Sequence, residues 1–122
     1  MSSSGKSLFF FGVYVLVIGI LFLTIPDTLV RIINLPALDS GWARVIGLLS
    51  LVIGTYDILM GKADNKEFIK LSVYIRLGFA AGTILLVIFG QMPASLILLG
   101  SVDALGSLWT TLALKSDVSK GN

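Results

Sequence analysis

The chain has no cysteine and no histidine among its 122 residues. Without cysteine there is no disulfide, no thiol nucleophile and no thiolate metal site. Without histidine there is no imidazole base, no histidine-ligated haem, and no Ser–His–Asp or Cys–His nucleophile. Charge is scarce as well. Only 13% of the residues are Asp, Glu, Lys or Arg, about half of the ~25% carried by soluble domains. Hydrophobic residues make up 56%, and the mean hydropathy is +0.97. A chain this short cannot bury so much apolar surface inside itself, so its solvent is lipid. No cofactor, no metal and no enzymatic activity are expected.

Four segments are long and apolar enough to cross a hydrocarbon layer of about 30 Å as helices, at roughly 17–25 residues each. They run over about 8–25, 42–61, 71–90 and 94–114. Their apolar residues do not alternate, which excludes a transmembrane barrel with its period of two. The expected fold is all-α, an integral membrane four-helix bundle forming one domain over 1–122. The first span follows Lys6 as a secretory signal would, but Ile25-Pro26-Asp27-Thr28 offers no small-residue cleavage site, so it reads as retained. Met1 to Gly5 reads as a frayed polar terminus. Ser2 stands where myristoylation would need glycine.

Lys6, Lys62, Lys66, Lys70, Lys115 and Lys120 fall on one side if the spans alternate, against Arg31 and Arg44 near the other. The positive-inside rule then places both termini in the cytoplasm, with the chain in a bacterial inner membrane. The lysines are too dispersed for a nucleic-acid footprint. Between the first two spans, 26–41 carries Leu29, Ile32 and Ile33 at helical spacing, with Asp27 or Thr28 as N-cap. This segment reads as a helical connector lying along the membrane surface, with partner binding as the rival reading. Gln91-Met92-Pro93 makes a tight hairpin, with Pro93 opening the last span.

Small residues recur at heptad spacing. Gly5, Gly12 and Gly19 mark the first span, and Gly47, Ser50, Gly54, Asp57 and Gly61 the second. Gly78 and Gly82 form a GxxxG pair in the third, and Gly100, Asp103 and Ser107 share a face in the fourth. Such stripes let helix backbones approach closely in lipid, at left-handed, small-angle crossings. Spans two and four also align without gaps at an offset of 53: Gly47 with Gly100, Tyr56 with Trp109, Lys62 with Lys115, Asp64 with Asp117. Spans one and three align less well, through Gly12 and Gly78. The pattern suggests a duplicated two-helix hairpin.

Asp57, Arg76 and Asp103 are the charges within the bilayer. A charge there costs about 3 kcal/mol or more unless it faces the bundle interior and finds a partner. At 1.5 Å per residue, Asp57 lies about 7 Å from the level of Lys62, Arg76 about 9 Å from Lys70, and Tyr14 about 12 Å from Lys6. Asp103 is deeper, about 18 Å from Lys115, near the levels of Ser50 and Thr83. The expected constellation is a polar cluster of Tyr14, Asp57, Arg76 and Asp103, with an ion pair, supported by Ser50, Tyr56, Thr83, Trp109 and Thr110. It serves either as a substrate or proton site or as a buried pair that fixes helix packing.

Trp42-Ala43-Arg44-Val45-Ile46-Gly47, Gly54-Thr55-Tyr56, Arg76 and Asp103-Ala104-Leu105-Gly106-Ser107-Leu108-Trp109-Thr110 together resemble the DoxX-like small four-span bacterial membrane proteins. The resemblance covers most of 8–114. It implies the fold, and an association with respiratory or quinone-linked enzymes known for some members, but no catalytic residue. Small multidrug-resistance transporters share the length, but they carry a glutamate in the first span where this chain has none. Two functions follow. One is an accessory or scaffold subunit, with the lipid bilayer and a larger membrane complex or a homo-oligomer as partners. The other is a small proton-coupled transporter or channel built on the Asp/Arg cluster. An enzyme using Asp and Tyr as acid and base is the least favoured.

Overall fold

The computed structural model describes residues 1–119. Lys120, counted above with the orienting lysines, lies outside the described residues. These contain five helices and no strand: α1 (Ser3–Thr24), α2 (Pro26–Ile32), α3 (Ser40–Lys62), α4 (Lys66–Ile88) and α5 (Leu96–Ser119). All but α2 are long and apolar enough to cross a membrane. Lengths of 22 to 24 residues correspond to about 33–36 Å of helix, enough for a hydrocarbon layer of about 30 Å. The chain is a multi-pass membrane protein folded as an all-α bundle of four spanning helices.

α1, α3 and α4 extend past their apolar runs because polar residues cap them. Ser2 accepts a hydrogen bond from the Gly5 amide, Asp39 from those of Gly41 and Trp42, and Asn65 from that of Phe68. Each cap satisfies amides that have no partner within the helix. α1 therefore starts at Ser3 with Ser4 fully buried, and the first residues are not frayed. At the other ends, Asn34, Asp64 and Gly90 adopt positive φ, and the next amide reaches back to the carbonyls of Val30, Met60 and Leu86. This is the Schellman arrangement, open to Gly and tolerable for Asn and Asp. α1 and α2 part at Pro26, which occupies the first turn of α2 and has no amide to continue the α1 ladder. Ile25 is the N-cap there and no side chain caps the helix, so neither Asp27 nor Thr28 takes that role. Pro93 precedes α5 by one open turn instead of sitting in it.

The tightest pairing is α1 against α3, antiparallel. A Cβ placed on Gly5 would lie 2.7 Å from the Gly61 carbonyl oxygen, one on Gly12 2.9 Å from that of Gly54, and one on Gly19 2.8 Å from that of Gly47. The reverse placements are as close. Three glycine pairs, one every seven residues, thus bring the two backbones into direct contact. Dispersion and Cα–H···O contacts replace the hydrophobic drive that helices lack in lipid. α4 pairs with α5 in the second hairpin, where Gly100 receives the Thr83 side chain and the Ser107 hydroxyl donates to the Val73 carbonyl.

Gly78 and Gly82 meet nothing within 4 Å, so this GxxxG pair is not a packing face. The matching of Gly12 with Gly78 fails for the same reason. Gly47 and Gly100 hold equivalent places, and their partners are Gly19 and Thr83, which sets the offset at 64 in place of 66. α1 and α5 join the two hairpins, while α3 and α4, although consecutive, scarcely touch. The helices stand in the order α3, α1, α5, α4, leaving a gap between the outer two.

α2 does not lie flat against lipid. Leu29 and Val30 are buried with Phe22 and Ala43, and Leu35 and Leu38 pack beside them. Only Ile32 of the three predicted apolar positions points fully outward. Ser95 donates to the Asn34 carbonyl and ties this segment to the start of α5. The segment is a cap folded over the end of the bundle remote from the lysines.

Candidate functional site

The gap between α3 and α4 is a cavity of about 730 Å³. Phe11, Tyr14 and Ile18 of α1 and Leu99 and Asp103 of α5 line it from behind, and Val30, Leu35 and Leu38 close the capped end. Ile53 and Tyr56 of α3 and Ile75 and Phe79 of α4 line it too but remain exposed, so they form its rim toward lipid. Most of this lining is apolar. Asp57, Ser72 and Arg76 stand nearer the lysine-bearing end, with Tyr14 and Asp103 alongside.

Tyr14, Asp57, Arg76 and Asp103 therefore do share one site, and Ser50 and Tyr56 line it with them. Trp109 and Thr83 do not. Trp109 is half exposed and stacks on Phe10 with ring centroids 6.4 Å apart. Thr83 is buried against Gly100 and donates to the Ala80 carbonyl. Thr110 acts behind the cavity as a partner of Arg76.

The expected ion pair is absent. Among the described residues, ion pairs within 4.0 Å join Lys66 to Asp64 and to Asp117, and Arg76 makes none. Its guanidinium donates from Nε to the Ser72 carbonyl at 3.2 Å. Nη2 donates to the Ser72 hydroxyl at 3.3 Å and to the Thr110 hydroxyl at 2.9 Å. The guanidinium carbon sits 4.7 Å from the centroid of the Phe11 ring, a cation–π contact. Nη1 is buried without any partner. A Cβ on Gly106 would stand 3.2 Å from it, so this glycine makes room for the arginine. α4 and α5 thus hold Arg76 through hydroxyls, and both carboxylates are left over. Neither Asp57 nor Asp103 takes a hydrogen bond from a described residue, although Asp57 is only 6% exposed. Buried carboxylates ordinarily have such partners. Gly12 lets the Asp57 backbone sit this deep, since a Cβ there would fall 2.9 Å from Cβ of Asp57.

A second polar cluster lies at the lysine-bearing end. Asp117 of α5 accepts from the Ser3 and Ser4 amides and from the Ser4 hydroxyl. Asp64 accepts from the Ser2 amide and hydroxyl. The Lys66 ammonium reaches Asp117 at 2.7 Å and also donates to the hydroxyls of Ser2 and Ser4. Two carboxylates thus sit at the N-terminus of α1, where its unpaired amides and dipole favour negative charge. Burial works against the charge on Asp64. The hydrogen bonds from Ser2 and the nearby Lys66 outweigh it and hold this carboxyl below its usual range. The sequence shows Asp64 and Asp117 only as equivalent positions of the 53-residue offset. The run Ser2-Ser3-Ser4, a donor-rich helix start, is the signal that would have found their target.

Compared with protein-family models, curated proteins and solved structures, the chain matches none.

Proposed function

We propose that this protein is a small membrane transporter that takes an amphipathic small molecule from the lipid phase into the cavity between α3 and α4. The observation that carries the reading is the pair of carboxylates, Asp57 and Asp103, on the wall of that cavity without protein partners. A pair serving only to fix helix packing would be closed on itself. Here Arg76 spends its bonds on Ser72 and Thr110 instead, and the carboxylates face space that a ligand or a proton can enter. The apolar walls suit a hydrocarbon body, and the exposed rim between α3 and α4 suits entry from the side. An ion channel is disfavoured, because a hydrated ion would lose its shell against apolar walls.

The accessory-subunit reading draws on the DoxX-like resemblance and on the lipid-facing surfaces, and it gives the cavity no role. In the transporter reading, Asp57 and Asp103 exchange protons for substrate, with both termini on the cytoplasmic side. Uptake of ethidium into DNA-loaded proteoliposomes tests it. Ser50→Trp, which fills the cavity, is expected to reduce uptake at least tenfold, whereas Leu59→Trp on the exposed face of α3 leaves it unchanged. Equal uptake by both variants and the wild type would remove the cavity from the pathway.

A further inference from the structure

We infer that the occupant of the cavity is an amphipathic monocation, its charge seated between Asp57 and Asp103. This rests on the reading of the cavity as the binding site for an amphipathic molecule. Two carboxylates and one guanidinium line the cavity, so the ionised site carries one uncompensated negative charge, and a single positive charge neutralises it. In a membrane that neutralisation is required of any site that stays charged.

Of the three charged groups, Arg76 is the one a ligand cannot use. Its Nε and Nη2 are occupied by Ser72 and Thr110, its face rests on Phe11, and Nη1 has no accessible surface. An anionic head would therefore meet carboxylates and no free donor from the guanidinium. Asp57 is the reverse case. It lies nine-tenths buried on the cavity wall and takes no hydrogen bond from the protein. Asp103 lines the same cavity from α5, half-buried, and it too takes no hydrogen bond from the protein.

An organic cation fits this site better than a metal ion. A calcium or magnesium ion asks for about six or more oxygen ligands, and the walls around the two carboxylates are mainly hydrocarbon and aromatic. Tyr14 and Tyr56 flank the acids on the same cavity, and aromatic faces attract a poorly hydrated organic cation. A substituted ammonium or phosphonium with an apolar body matches both walls and charge.

The experiment compares two ions of the same shape and opposite charge, tetraphenylphosphonium and tetraphenylborate, by equilibrium binding to the full chain in lipid nanodiscs. Saturable binding of one phosphonium per chain is expected, with tetraphenylborate showing only the linear partition of empty nanodiscs. Asp57→Asn and Asp103→Asn should each weaken phosphonium binding at least tenfold. Asp57→Glu, which keeps the charge, should stay within a few-fold of wild type and guards against a folding defect. If tetraphenylborate binds saturably and the phosphonium does not, the charge assignment is overturned while the cavity reading stands. If neither ion binds above partition, both are overturned.

Discussion

Replacing Gly54 by alanine puts the α1–α3 contact to a quantitative test. The new Cβ would lie 2.9 Å from the Gly12 carbonyl oxygen, 2.9 Å from the Leu16 nitrogen and 3.2 Å from the Leu16 Cα. All three are backbone atoms, so no side chain can swing aside. The helices must move apart by about half an ångström, and a gap of that order forfeits roughly a quarter of each pair contact worth ~0.1–0.2 kcal/mol. A buried leucine side chain makes about 40–60 such contacts, and loosening a number of that order along the stripe forfeits about 2 kcal/mol. The usual gain of about 1 kcal/mol for Gly→Ala in a helix applies weakly, because a spanning segment stays helical in lipid even when unpacked. Gly54→Ala should therefore destabilise the protein by about 1–3 kcal/mol. Gly78→Ala is the control, since nothing lies within 4 Å of its Cβ, and it should change stability by less than about 0.5 kcal/mol. Reversible unfolding in mixed micelles, followed by circular dichroism, reads both. Equal stability for the two variants would refute the backbone-contact account.

Other outcomes follow from the polar clusters. Thr110→Val removes the hydroxyl that accepts from Arg76 Nη2 and should cost about 1–3 kcal/mol in the same unfolding assay; an unchanged midpoint would show that water or lipid headgroups replace it. Asp117→Ala takes the carboxylate away from the Ser3 and Ser4 amides, so hydrogen exchange at those two amides should accelerate at least tenfold while the middle of α1 stays protected. The pH dependence has a defined sign. Asp64 has a folded value below its unfolded one, so its contribution is present above the ordinary carboxylate range and is lost as pH falls through the lowered value. The wild type should thus lose stability on acidification more steeply than Asp64→Asn. Parallel curves would count against the role given to Ser2 and Lys66.

Much of the fold is legible because lipid imposes strong rules. Runs of apolar residues near 20 mark the spans, and the glycines at 5, 12, 19 and 47, 54, 61 mark the face that α1 and α3 share. The same rule misleads at Gly78 and Gly82, since a small residue shows that a backbone can be approached, not that one approaches it. Asp57, Arg76 and Asp103 could be placed together because each is a charge that lipid does not tolerate. Their arrangement was not legible. Helical periodicity gives a face and a depth but not the few ångströms that decide whether Arg76 meets a carboxylate or the hydroxyls of Ser72 and Thr110. The inward turn of α2 escaped for a related reason: Leu29 and Val30 are adjacent in sequence and both buried, which a face read from Leu29, Ile32 and Ile33 does not show. The sequence shows Asp64 and Asp117 only as matched positions of the 53-residue offset, and their roles depend on where the α1 N-terminus arrives.

In the transporter reading, the carboxylates facing the cavity couple a substrate to protons. Ethidium flux in proteoliposomes under an imposed pH gradient, for the wild type and Asp103→Asn side by side, tests it most directly. Wild-type uptake should collapse when the gradient is dissipated, and uptake by Asp103→Asn should be no faster than by empty liposomes. Gradient-driven uptake that is equal in the two proteins would contradict it.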